Sequence, residues 1–115
     1  MLATVNGMFG LVVRFELVQG REDAFDTLVA ETVEKIRSSE PGTLIYISHE
    51  QESEPRIRIF YELYHNAAAF EAHEQMPHVR RFLMERRAHL ASDPLVWRVS
   101  PNGGLLREEL VEDGA

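Results

Sequence analysis

The stretch RIRIFYELY, Arg56–Tyr64, constrains this chain more than any other segment. Side chains along a strand point alternately to two faces. Ile57, Ile59, Tyr61 and Leu63 therefore share one face, and Arg58, Phe60, Glu62 and Tyr64 share the other. Apolar residues stand on both sides, so a sheet made of such strands has two faces to cover. Other segments read the same way. Met8–Leu17 sets Val13, Phe15 and Leu17 against Val12, Arg14 and Glu16. Thr43–Glu50 and Asp93–Val99 are rich in β-branched and aromatic residues and complete a set of four strands. The short polar turn QESEP makes the second and third strands a hairpin.

Elsewhere the apolar period changes from two to three and four. From Arg21 onward, Phe25, Leu28, Val29, Thr32, Val33 and Ile36 fall on one helical face. Glu22 and Asp23 sit in the first turn and Lys35 and Arg37 in the last, as the helix dipole favours. SSEPG stops this helix, because Pro41 pushes the residue before it out of the helical region and Gly42 permits a turn. Asn66 is placed to cap a second helix, AAAFEAHEQ. Pro77 breaks it and suits the first position of a restarted segment, HVRRFLMERRAHL, with Val79, Phe82, Leu83 and Arg86 inward.

The order strand, helix, strand, strand, helix, strand predicts an α+β, ferredoxin-like split βαβ domain. It has a four-stranded antiparallel sheet and both helices on one face. The second sheet face is also apolar, so two copies are expected to cover each other as a homodimer. The domain is expected to span residues 8–100. Residues 101–115 form a tail in which Leu105, Leu106, Leu110 and Val111 are apolar enough to dock, the partner chain being one surface for it.

The net charge of −7 argues against nucleic acid or an anionic membrane surface as a partner, since both require clustered positive charge. The absence of cysteine removes disulfides, iron–sulfur clusters and thiolate zinc sites, and suits a cytoplasmic location. No apolar run is long enough to span a membrane, and the start has no basic region of a signal peptide.

The central stretch EPGTLIYISHEQESEPRIRIFYELYHNAAAFEAHEQMPHVRRF resembles the signature of the antibiotic biosynthesis monooxygenase family. The matching residues are Gly42 and Tyr46, then Glu62 and Tyr64, then His73, then Pro77, His78 and Phe82. The resemblance covers roughly Phe9 to Val99. It implies a dimeric α/β barrel of two ferredoxin-like protomers. It also implies a small oxygenase acting on a quinol or polycyclic aromatic phenol with O2 and no cofactor. Two alternatives stay open: a non-catalytic barrel that binds a small aromatic ligand, and a haem-binding or haem-degrading protein. Tyr64 stands where the family often has Trp, the first strand offers Arg14 and no aligned Asn, and Met76 offers no capping oxygen. Two of the three residues used by the haem branch are thus absent.

Within that frame His73 is the candidate base, since an imidazole suits removal of a proton near neutral pH. Tyr64 and Phe60 share a strand face and could orient an aromatic ring. Arg14 could stabilise a phenolate or superoxide-like anion. Glu62, Phe82 and His78 complete the expected substrate contacts, with Glu62 fixing Arg14 or a histidine. Each has a plainer reading. Phe60 and Phe82 could be core, and Arg14 and Glu62 a cross-strand pair. His73 could bridge helix and sheet, and His78 could bond a neighbouring loop. The run RRFLMERRAH could be a solvated face, and His49, His65 and His89 surface residues. No metal is expected. His73 and His78 are five apart, about 140° around an unbroken helix, and do not face one point.

Overall fold

The computed structural model describes residue 5 and residues 7–107. Its elements are β1 (Phe9–Glu16), α1 (Glu22–Ser39), β2 (Thr43–Gln51), β3 (Glu54–Tyr64), α2 (Ala67–Gln75), α3 (Pro77–Glu85), a 3-10 turn (Arg86–His89) and β4 (Leu95–Val99). The strands form one sheet in the order β2-β3-β1-β4, and every neighbouring pair is antiparallel. This is the expected α+β, ferredoxin-like arrangement. No helix among the described residues is long and apolar enough to cross a membrane.

Local chemistry sets the boundaries. Asn66 Oδ1 accepts a hydrogen bond from the Ala69 amide at 2.8 Å, so α2 starts there. Met76 ends α2 in an extended conformation and caps α3 without a side-chain bond, while Pro77 opens the new helix. β3 begins two residues earlier than the sequence suggests. The hairpin closes on Glu52 and Ser53 alone, with Ser53 at φ 65°, and Gln51 pairs with Glu54. Pro55 is tolerated at that outer end, where its carbonyl accepts from Arg58 at 2.8 Å.

The register decides which face each residue serves. Val13 pairs with Phe60 and Leu11 with Glu62, so the odd residues of β1 share the helix side with the even residues of β3. There Leu11, Val13, Phe15, Leu17, Phe60 and Tyr64 meet Phe25, Leu28 and Val29 of α1 and Phe70 and Phe82 of the later helices. Phe15 and Phe60 stack edge to face, centroids 4.7 Å apart, a geometry that adds to their burial. Arg58 is the one buried cation of β3 on this side. Asp26 of α1 accepts from it twice, at 2.9 and 3.0 Å, so its charge is paired.

The opposite face carries Val12, Arg14, Ile45, Ile47, Ile59, Tyr61, Leu95 and Trp97, placed together by the same registers. Ile47, Leu95 and Trp97 are each about half exposed. The face is apolar, as expected, and no described element covers it. Leu105 of the tail is exposed and Leu110 and Val111 lie outside the described residues, so tail docking stays an expectation.

Gly42, just before β2, lies close against Ala69 of α2. A Cβ added there would stand 2.7 Å from the Ala69 Cβ, well inside contact distance. Gly42→Ala should therefore destabilise the fold by about 1–3 kcal/mol through overpacking. Gly103→Ala, where nothing lies within 4 Å, should have little effect. Urea midpoints of the two variants against the parent check this.

Candidate functional site

Between the sheet and the later helices lies a cavity of about 170 Å3. Leu11, Val13 and Phe15 of β1 form one wall, and Phe70, Val79 and Phe82 of α2 and α3 contribute to the other. Its deeper polar groups are Tyr46, Glu62, His73 and Arg86, and the exposed residues Glu74, Leu83, Val96 and Arg98 mark the rim. The lining is mostly apolar with a few polar groups, the pattern of a small-molecule site.

His73 is held by a carboxylate that the sequence reading did not single out. Glu40 stands at the C-terminal end of α1 and is 7% exposed. Its Oε1 lies 2.6 Å from His73 Nδ1 and accepts from the Thr43 hydroxyl at 2.7 Å. Its Oε2 contacts His78 Nε2. Burial pushes the Glu40 carboxyl up, but the hydrogen bonds from His73, Thr43 and His78 outweigh it and hold the group below its ordinary value of 4.5. Glu40 is thus the anion of the cluster. Against that anion His73 Nδ1 is the donor, which leaves Nε2 as the ring nitrogen not bound to Glu40.

A second carboxylate faces the same cavity in a different state. Glu62 is 5% exposed and accepts from the Tyr64 hydroxyl at 2.5 Å. Burial dominates here and raises the Glu62 carboxyl above its ordinary value, while the Tyr64 bond and the nearby Arg86 pull the other way. Burial and the charge of Glu62 push the Tyr64 phenol far up, so it remains a donor. Tyr46 is raised too, by burial first and Glu62 next. Burial lowers Arg86, opposed by Tyr46 and Glu62. The Arg86 guanidinium lies 5.4 Å from the Phe15 ring centroid and 5.8 Å from that of Phe82, in cation–π contact with both.

The residues singled out from sequence are divided by the structure. His73, Glu62 and Phe82 line the cavity together. Tyr64 lies behind it, fully buried, with its ring against Phe70 and His73 and its hydroxyl on Glu62. Phe60 is fully buried in the core. Arg14 is on the opposite face of the sheet, beside Ile59 and Leu95, so it meets neither the cavity nor Glu62. His78 lines a separate groove between α1 and α3. His89 is half-buried against Phe25, with ring centroids 6.5 Å apart, and is not a free surface residue. Among the described residues no group of three or more His, Cys, Asp or Glu is placed to hold a metal ion.

Glu40, Tyr46 and Arg86 are what sequence reasoning missed as site residues. The signal for Glu40 was the unusual place of a carboxylate at a helix C-terminus, where the dipole disfavours it. Three donors compensate that placement. The sequence reading places Arg86 inward, but nothing in its run of arginines signals that it lines a cavity.

The pH dependence follows from the sign of the Glu40 shift. Its folded-state value is depressed, so its contribution to stability is complete above about 4.5 and is lost as pH falls through the lower, folded-state value. Glu40→Gln should lose about 1–3 kcal/mol at neutral pH, where the charged hydrogen bonds are made. The gap to the parent should narrow as pH falls below 4.5 and through the lower, folded-state value. Urea unfolding across that range measures both.

Comparison with known proteins agrees with this architecture. The family model described as antibiotic biosynthesis monooxygenase matches residues 8–84. No curated protein matches the chain. Among solved structures, a candidate antibiotic biosynthesis monooxygenase from Caulobacter crescentus superposes with a TM-score of 0.80 at 19% identity, covering 86% of this chain and 93% of that one. A second candidate, from Chloroflexus aurantiacus, gives 0.71 at 24% identity, covering 84% and 95%. The protein PA3566 from Pseudomonas aeruginosa gives 0.75 at 19% identity, covering 88% and 100%. These likenesses establish the fold, and the family match over most of the chain establishes that it belongs to the antibiotic biosynthesis monooxygenase family.

Proposed function

We propose that this protein is a cofactor-independent monooxygenase that oxidises a one-ring quinol or phenol with O2. The observation that carries this reading is the arrangement of His73, whose Nδ1 is fixed by buried Glu40 while the ring lines an aromatic-walled cavity. A carboxylate behind an imidazole sets its tautomer and favours proton uptake at the far nitrogen. The cavity volume of about 170 Å3 sets the scale of the substrate, because an apolar cavity near ~150 Å3 holds a single benzene ring. Within one chain that favours one ring over a polycyclic phenol.

The chemistry then needs little from the protein. His73 Nε2 takes the hydroxyl proton, leaving an electron-rich ring oxyanion. Arg86, stacked on Phe15 and Phe82 at the cavity, stabilises that negative charge. The ring anion passes an electron to O2, and the resulting radicals couple to form a C–O bond at a ring carbon bearing hydrogen. Loss of that hydrogen and cleavage of the O–O bond give a quinone and one water. One O2 is consumed, one oxygen atom enters the ring and the other leaves as water. The substrate supplies all four electrons.

The protein works, in this reading, as a homodimer of the 8–100 domain. Its apolar outer sheet face, with Ile47, Leu95 and Trp97 half exposed, is larger than isolated exposed residues require and suits a second copy of the same face. Ile47→Glu and Trp97→Glu would each place a charge in that contact.

Oxygen-electrode assays with hydroquinones, catechols and naphthols should show uptake above a no-protein control, fastest for one-ring substrates. His73→Ala should lower kcat at least ~100-fold, the usual worth of a positioned base. A flat trace with saturable binding of the same phenols would support the ligand-binding barrel, and a Soret shift on adding haem would support the haem reading. Light scattering should give twice the chain mass for the parent and a lower mass for Trp97→Glu. A monomeric parent would overturn the dimer.

A further inference from the structure

Glu40 joins two histidines that open on different sides of the domain. His73 lines the inner cavity, while His78 lines the groove of Glu31, Thr32, Lys35, Pro77 and Arg81 between α1 and α3. One carboxylate oxygen serves each ring. We propose that His73, Glu40 and His78 form a two-ended proton exchanger that carries one imidazolium at a time, with His78 as its solvent-side terminus. This deepens the oxygenase reading and rests on it for its use in turnover.

The physical argument is charge balance. A buried carboxylate stabilises one adjacent cation, but a second would leave the cluster with a net charge in a poorly hydrated place. The exchanger places the imidazolium of the free protein on the ring nearer water, His78, whose side chain is 13% exposed against 5% for His73. Charged neighbours flank both rings. On the cavity side stand Tyr46, Glu62, Tyr64, Glu74 and Arg86; on the groove side stand Glu31, Lys35 and Arg81, with Arg81 bound to Glu31 and Glu85.

The exchange balances without any redox partner. A ligand O–H breaks and its proton bonds to His73 Nε2. The Nδ1–H of His78 breaks and its proton leaves to water in the groove. Glu40 stays anionic throughout, and the cluster keeps one carboxylate and one imidazolium. When His73 later returns its proton to the oxygen that departs as water, His78 regains one from the groove. His73 thus acts on the substrate, and Glu40 and His78 set its protonation state from behind.

Nitrogen-15 NMR of the imidazole rings in the ligand-free, full-length protein at neutral pH tests this. The expected spectrum shows His73 as the neutral Nδ1–H tautomer and His78 as imidazolium. In His78→Gln the imidazolium should move to His73, and in Glu40→Gln both rings should be neutral. Amide spectra of each variant report whether the fold is intact. A merely structural Glu40–His78 contact would leave the His73 ring unchanged in His78→Gln, and that result overturns the proposal, as would two imidazolium or two neutral rings in the parent. Binding of 4-nitrophenol, at a pH well below the ligand's own pKa so that the free phenol is neutral, then separates the exchanger from the oxygenase reading. The expected result is the phenolate absorbance with one proton released to solution per site, and loss of the release in His78→Gln. Phenolate binding without release in the parent contradicts the exchanger. Failure to bind contradicts the aromatic cavity, while the ring assignments still decide the exchanger.

Discussion

One carboxylate ties the helical layer to the sheet. Glu40 closes α1, accepts from Thr43 at the start of β2 and holds His73 of α2 and His78 of α3. Four elements therefore converge on two oxygen atoms. A buried carboxylate is costly unless its lone pairs are filled. Three donors fill them here, and the shift of Glu40 to the acid side shows which effect wins. The same bonds that make the burial tolerable also fix the His73 ring. Structure and chemistry are the same interaction at this point.

The cavity shows a second contrast set by environment. Glu40 and Glu62 are comparably buried, yet their carboxyls shift in opposite directions. Glu40 has three side-chain donors and Glu62 has the Tyr64 hydroxyl. Ionisation of Glu62 thus works against the fold as pH rises past its ordinary value, whereas ionisation of Glu40 works for it. Two carboxylates near one imidazole are thereby shifted in opposite directions by the balance of burial and donors.

The fold was legible in the sequence because periodicity records burial. The two-residue alternation of Arg56–Tyr64 and the three-to-four spacing of Phe25 to Ile36 translate into faces that the registers place as expected. Asn66 and Pro77 marked helix starts through chemistry that acts within a few residues. The site was less legible because it depends on register and on distant partners. Arg14 and Glu62 look like cross-strand neighbours by type, but Arg14 pairs with Ile59 and Glu62 with Leu11, so the pleat sends them to opposite faces. Glu40 and His73 are 33 residues apart, and nothing local announces their contact. Tyr64 shows an intermediate case: its strand face was readable, its depth behind Glu62 was not.

The account turns on where a ring hydroxyl sits. A crystal structure with a one-ring phenol that cannot be oxidised further would test it most directly. The account predicts the ring inside the cavity between β1 and the later helices, with its oxygen within hydrogen-bond distance of His73 Nε2. A ring bound on the outer sheet face near Arg14 and Trp97, or oriented with its hydroxyl away from His73, would contradict it.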